Sequence, residues 1–190
     1  LEGAVALERT LDEPIAVGQS PTFLSAMCAL WDDDVETAWS ALTSIDRQAQ
    51  ARSESWRAIV LTHLAEVELR RGRTDEALTA IEEAMQIAEF WNVVHAEATV
   101  LATAALVRGT VGDVDEARRA GERALELMRP VGYDVIVRVA EHALGFLELS
   151  LGDVAAAHAV LEPLIMRSGI GQPTAEAAAP DAIEALLGMG

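Results

Sequence analysis

The residues that could carry out chemistry are few and widely spaced. Four histidines, at positions 63, 95, 142 and 158, form no HExxH pair, and the single cysteine, Cys28, has no histidine near it in the sequence. Metal sites and activated thiols need such groups close together. We therefore expect neither a metal site nor a catalytic residue among them, and interpret Cys28 as a small apolar packing residue.

Nucleotide and nucleic-acid chemistry is also disfavoured. The chain has no GxxxxGK[ST] phosphate loop, and all 14 of its basic residues are arginine. Its 31 acidic residues give a net charge of −17, which repels phosphate groups and anionic membrane surfaces. The sequence therefore predicts no cofactor, no nucleotide hydrolysis, and no binding of nucleic acid or membranes by these residues.

The composition is that of a globular protein, because 51% of the residues are hydrophobic and 24% are charged. A length of 190 residues fits one domain. The sequence contains no apolar run long enough to span a bilayer and no secretory leader, so we expect a cytoplasmic protein. An apolar pattern continues to Met189, from which we expect the chain to be part of a longer protein.

A repeat of about 40 residues organises the chain. Three similar segments, Gly72–Ala77, Gly112–Ala117 and Gly152–Ala157, follow one another at intervals of 40, and a weaker copy precedes them at Asp33–Ala38. An apolar run with the spacing of an amphipathic helix lies before each segment. The pattern therefore predicts that each unit contains a first helix, called helix A, a turn at the glycine, and a second helix, called helix B.

The predicted fold is all-α, a right-handed superhelical array of about four antiparallel helix hairpins, that is, an α-solenoid. We expect a single repeat domain over residues 1–190. Its parts are hairpins over about 21–49, 55–90, 93–128 and 134–167, a loop over 168–179, and the start of a further helix over 180–190.

Two local features should shape each hairpin. Polar residues after the turns, Thr74, Asp113 and Asp153, are expected to cap the B helices. Small residues are expected to let helices A and B approach closely. These small residues of helix A are Ala65, Ala105 and Gly145, and each is followed twelve positions later by an alanine of helix B.

The order of small residue, glycine turn and alanine resembles the tetratricopeptide repeat. The chain departs from that pattern in its period, which exceeds the usual 34 or so residues, and in having Glu68, Arg108 and Glu148 where an aromatic residue is expected. Residues 140–187, with AEHALGFLELSLGD, LEPL and PDAIEAL, resemble the helical-repeat region of large ATP-dependent LuxR-type (MalT-like) transcriptional regulators. In that family, a nucleotide-binding module and a helix-turn-helix flank the array.

Helical-repeat arrays bind their partners on a concave surface lined by the A helices. Counting from the small residues predicts an apolar groove. The candidate ligand- or partner-binding residues are Phe23, Met27, Thr62, Glu66, Arg70, Leu106, His142, Phe146 and Leu149.

Two functions remain open from the sequence. The leading hypothesis is a non-enzymatic sensor or interaction module of a LuxR-type regulator, which binds a small-molecule inducer or a protein segment in the groove. DNA would then be bound only by a domain outside these residues. The alternative is a free-standing tetratricopeptide adaptor that binds a partner peptide or helix. A homo-oligomer is compatible with both hypotheses. An all-helical enzyme is disfavoured, because the sequence has no group of candidate acid, base or nucleophile residues.

Overall fold

The computed structural model describes residues 1–8, 10–11, 15–168 and 172–190. Within these ranges the regular structure is helical, with a short 3-10 helix at Val17–Gln19 and no strand. The α-helices are α1 (Glu2–Glu8), α2 (Pro21–Trp31), α3 (Val35–Ala51), α4 (Arg57–Arg70), α5 (Thr74–Trp91), α6 (Val94–Thr110), α7 (Val114–Met128), α8 (Asp134–Ser150), α9 (Val154–Ser168) and α10 (Pro173–Gly188).

The predicted all-α fold of antiparallel helix hairpins is confirmed. The hairpins are α2/α3, α4/α5, α6/α7 and α8/α9, and their ends agree with the predicted ranges to within two residues. The chain forms two compact units, Leu1–Asn92 and Val93–Gly190, each of which contains two hairpins. Within the first unit α4 packs on α3, and within the second α8 packs on α7 and α10 packs on α9. That residues 1–190 form one domain stays a prediction.

The four predicted turns share one backbone conformation. Asp33, Gly72, Gly112 and Gly152 have positive φ angles of 60°, 72°, 83° and 82°. In each turn, the residue that follows the one with positive φ donates its backbone N–H to a carbonyl oxygen of helix A, five residues before it, at 2.8 to 3.0 Å. This hydrogen bond closes the end of helix A. Glycine enters this left-handed conformation without a steric penalty, which explains its recurrence at the 40-residue interval.

The predicted helix caps are present at only some of the turns. Asp153 accepts a hydrogen bond from the Ala156 N–H at 2.9 Å, as predicted. The cap predicted at Thr74 is wrong, because Thr74 is already the first residue of α5. The cap predicted at Asp113 is also wrong, since its carboxylate accepts a hydrogen bond from Arg108 instead, at 3.2 Å.

The small residues of the A helices lie where the helices of a hairpin meet. All three, and the alanines twelve positions later, have essentially no exposed surface: Ala65, Ala105, Gly145, Ala77, Ala117 and Ala157. At Gly145 the approach is closest. A β carbon built there would lie 2.5 Å from two carbon atoms of Leu161, so only glycine fits without movement of its neighbour.

The C-terminal segment differs from the prediction. The loop expected over 168–179 is wrong for residues 173–179, which belong to α10, and for Ser168, which ends α9; residues 169–171 lie outside the described ranges. The further helix expected over 180–190 therefore begins at Pro173. A proline fits the first turn of a helix because its N–H is not needed there, and Ala175 and Ala178 are buried, the latter against α9.

Candidate functional site

In the first unit, side chains join the A helices α2 and α4 at two places. The rings of Phe23 in α2 and His63 in α4 are 5.9 Å apart. At the other end of these helices, the Arg70 guanidinium donates a hydrogen bond to the Leu30 carbonyl oxygen at 2.8 Å. The structure therefore brings the predicted residues Phe23 and Arg70 to one surface, which we call the first helix-A face.

Charged groups connect the centre and the end of this face. Arg70 donates to Glu66 at 2.9 Å and to Asp33 at 3.3 Å, and His63 lies 3.7 Å from the Glu66 carboxylate. Burial opposes ionisation of Glu66, but the neighbouring His63 and Arg70 outweigh burial and lower the pKa of this carboxyl group. Glu66 therefore stays negatively charged within a cluster that also holds a permanent positive charge.

Two predicted residues of the first unit do not present a surface. Met27 is 7% exposed and Thr62 is 1% exposed. The Thr62 hydroxyl donates to the Ala58 carbonyl oxygen at 2.8 Å, within its own helix. A partner lying on the first helix-A face would therefore contact Phe23, Glu66 and Arg70 rather than Met27 or Thr62.

In the second unit, the A helices α6 and α8 pack side by side and form a comparable surface, the second helix-A face. The Phe146 ring lies next to Gly109 of α6, where a built β carbon would be 3.8 Å from two ring atoms. Leu106, one turn before Gly109, is half-buried like Phe146. Leu149 is also half-buried, but it packs against the apolar cluster that joins α9 and α10, so it contributes to the core.

His142 belongs to a polar contact between α8 and α10. Its Nε2 lies 2.9 Å from a carboxylate oxygen of Asp181, and both side chains are mostly buried. Asp181 is not among the residues that the sequence predicts for the groove. The signal available in the sequence is the spacing, because Asp181 follows His142 by 39 residues, almost one repeat.

Buried charges that the sequence analysis did not single out also join successive helices. Glu141 of α8, only 6% exposed, accepts hydrogen bonds from Arg129 beyond α7, at 3.2 Å, and from Arg167 of α9. A buried carboxylate is strongly destabilising unless it is paired. Glu141 and its two arginines therefore hold α7, α8 and α9 together.

A cleft of about 270 Å³ in the first unit was not anticipated. Its wall includes Arg57, which donates to Asp46 at 2.7 Å and to Glu83 at 2.6 Å. Burial opposes the charge of Arg57, but these hydrogen bonds outweigh burial and raise the pKa of its guanidinium group. The aromatic residues Phe90 and Trp91 line the same cleft and pack edge to face, 5.6 Å apart.

The described part of the chain contains no group of three or more histidine, cysteine, aspartate or glutamate residues placed to hold a metal ion. Among its helices, none combines the length and the apolar character needed to cross a membrane.

Comparison with known proteins identifies the repeat. Residues 56–129 match the family "Tetratricopeptide repeat". The chain therefore contains a tetratricopeptide-like helical-repeat region. Such repeats indicate a protein–protein interaction module and are typically non-enzymatic scaffolds. A search of curated proteins finds no match.

One solved structure extends the likeness beyond the matched repeats. The crystal structure of BtubC (BKLC) from P. vanneervenii is 22% identical and superposes with a TM-score of 0.68, over 98% of this chain and 84% of that chain. A tetratricopeptide repeat protein from Parabacteroides merdae ATCC 43184 is 15% identical, with a TM-score of 0.43 over 89% of this chain and 72% of that chain. The similarity to BtubC shows a shared fold across nearly the whole chain.

Proposed function

We propose that this chain is a non-enzymatic interaction module that binds a segment of a partner protein on its helix-A faces. The observation that carries the proposal is the arrangement of Phe146 and Leu106, which lie half-buried on adjacent A helices and offer apolar surface. In the first unit, Phe23 and the charged pair of Glu66 and Arg70 offer a mixed surface. An apolar segment is complementary to the second face, and a segment with both apolar and polar side chains is complementary to the first.

The finer proposal is that the module belongs to a LuxR-type transcriptional regulator and senses an inducer or a segment of the regulator itself. It is supported by the resemblance of residues 140–187 to the helical-repeat region of these regulators. The open reading frame tests it. A phosphate-loop module before this region and a helix-turn-helix after it are expected, and their absence from the full gene would contradict the regulatory role.

The second candidate is a free-standing adaptor. It is favoured by the superposition on BtubC, in which the shared fold accounts for 84% of the other chain. A chain can therefore consist largely of this fold. An open reading frame with neither flanking module would support the adaptor over the regulator, and either result leaves partner binding by the helix-A faces to be tested separately.

Partner binding can be tested with peptides selected on the purified chain from a display library. Phe146→Asp should weaken a peptide that binds the second helix-A face by at least about tenfold, because apolar burial of such a side chain contributes roughly 1.5–3 kcal/mol. The matched control is Leu127→Asp, which changes a half-buried apolar residue of the B helix α7. Phe146→Ser is a milder variant that reports binding if the aspartate reduces folding.

The outcome that supports the proposal is loss of binding in the Phe146 variants with binding retained in the Leu127 control. Thermal unfolding measured on each variant separates loss of the surface from loss of the fold. If folded Phe146 variants bind every selected peptide as tightly as the unmodified chain, the second helix-A face is not the binding surface.

A further inference from the structure

Helix α10 carries an apolar stripe that no part of the described chain covers. Ile183, Leu186 and Leu187 are 58%, 56% and 76% exposed. They follow the i, i+3, i+4 spacing that places side chains on one side of a helix. The opposite side of α10 is buried against α9, through Ala178 and Ala185. The helix therefore has apolar character on two sides, and the structure buries only one of them.

Helix α8, the A helix before α10, shows which helices cover an A helix on both of its sides. In α8, Leu144 packs on Gly121 of α7, while Gly145 receives Leu161 of α9. Helix α8 is thus held between two B helices, whereas α10 packs mainly on one B helix, α9, and on α8. A further helix on the stripe would continue the stacking of α8, α9 and α10.

The charges around the stripe define what kind of helix fits. Glu176 and Glu184 are exposed on α10 beside the stripe. The segment 172–190 contains no arginine, lysine or histidine. Positively charged residues on the flanks of a binding helix would complement these carboxylates.

A second copy of this chain is a poor occupant. Each copy carries a net charge of −17, so two copies repel each other. A stable dimer commonly buries about 800 Å² on each partner, which exceeds what three aliphatic side chains provide. Anchors at i, i+3 and i+4 are, in contrast, the usual pattern for one amphipathic helix packing on another surface.

We propose that the α10 stripe is a docking site for an amphipathic helix of a partner protein, with an apolar stripe flanked by arginine or lysine. This helix would pack along Ile183, Leu186 and Leu187 and would place its cations near Glu176 and Glu184. The stripe shares no residue with either helix-A face, so that the module engages partners through a third surface.

The test uses a fluorescent 18-residue helical peptide of leucine, alanine and lysine and a counterpart with glutamate in place of lysine. Binding to the whole chain is measured by fluorescence anisotropy. The lysine peptide should bind at least tenfold more tightly than the glutamate peptide. Leu187→Glu should weaken the lysine peptide at least tenfold. Val131→Glu is the matched control, because Val131 is 70% exposed in a turn of the same unit, and it should leave the affinity unchanged.

Leu187→Glu adds negative charge, so a merely electrostatic attraction would be kept or strengthened by it. Unchanged or tighter binding of the lysine peptide to this variant would therefore overturn the proposal, as would equal losses in both variants. Circular dichroism checks that the variants are folded, and Leu187→Gln provides a neutral substitution at the same position. Sedimentation tests the remaining occupant: a dimer that Leu187→Glu dissociates would assign the stripe to a second copy and refute the partner helix.

Discussion

The close approach of neighbouring helices predicts a graded response to glycine-to-alanine substitutions in the second unit. At Gly145 the added β carbon would lie 2.5 Å from Leu161, which is fully buried. At Gly121 the nearest atoms, at 2.8 Å, belong to the half-buried Leu144. At Gly109 the nearest atom is at 3.7 Å, an ordinary contact.

Each substitution gains about 1 kcal/mol of helix propensity. Overpacking of a tight core costs roughly 1–3 kcal/mol, so Gly145→Ala should lower the free energy of unfolding by about 1 kcal/mol. Gly121→Ala should be nearly neutral, because Leu144 can shift toward solvent. Gly109→Ala should be stabilising by up to about 1 kcal/mol.

Urea unfolding followed by circular dichroism measures the order of the three variants, and 1 kcal/mol corresponds to a shift of about 2–4 °C in thermal midpoint for a chain of this size. The clash at Gly145 has its own control. In a Leu161→Ala background the added methyl group finds space, so Gly145→Ala should no longer destabilise. If Gly145→Ala proves at least as stabilising as Gly109→Ala in the unmodified chain, the close helix approach is refuted.

Three further predictions concern polar groups and turns. Because the folded pKa of Glu66 is lowered from 4.5, its contribution to stability is present above that pH and is lost as the pH falls through the folded value, so unfolding of Glu66→Gln should depend less on acid pH than unfolding of the unmodified chain. Glu68→Ala should lower the free energy of unfolding by about 1–3 kcal/mol, since it leaves the Trp39 N–H without its acceptor, and Glu68→Gln should cost less in the same urea titration. Gly152→Ala should cost about 1–2 kcal/mol through its φ of 82° alone, because nothing lies within 4 Å of the added carbon; a neutral result in thermal unfolding would contradict this.

The hairpins could be predicted from the sequence because their signals are local. A glycine in the left-handed conformation ends each helix A of the regular copies, and the apolar spacing before it gives the buried side of the helix. The loop predicted for residues 173–179 is wrong because the local signals of that segment are ambiguous. Its alanines give little apolar periodicity, and Pro173 and Pro180 resemble the punctuation of a loop, yet Pro173 begins the helix and Ala178 is small enough to pack closely on α9.

The candidate site was predicted less completely, because it depends on contacts between helices. Counting along helix A places Phe23 and Arg70 on one face, and the structure has them there. The same counting cannot show that Thr62 is buried or that His142 meets Asp181, since both follow from how neighbouring helices are rotated. The position of a residue in the sequence determines the direction of its side chain around the helix axis. The solvent exposure of that side chain depends on how the adjacent helix covers it.

The departures from the usual tetratricopeptide pattern have a physical role in the packing of hairpins. In the first unit, Trp39 of α3 donates its indole N–H to Glu68 of α4 at 2.6 Å. In the second unit, Arg118 of α7 donates to Glu148 of α8, and this hydrogen bond raises the pKa of Arg118. Both contacts join helix B of one hairpin to helix A of the next, at the same positions relative to the turns.

At the position of helix A where an aromatic residue is expected, Glu68 and Glu148 thus accept hydrogen bonds from the preceding hairpin. Glu68 is 8% exposed, and a carboxylate this buried is strongly destabilising when it lacks a donor. A hairpin packed against a different neighbour would lose the Trp39 donor of Glu68, leaving it hydrogen-bonded only to Arg71 of its own hairpin, or would lose the Arg118 donor of Glu148. Aromatic side chains, in contrast, would pack with many apolar surfaces. The polar contacts therefore favour the native order of hairpins within each unit, because only the native neighbour supplies the matching indole or guanidinium group.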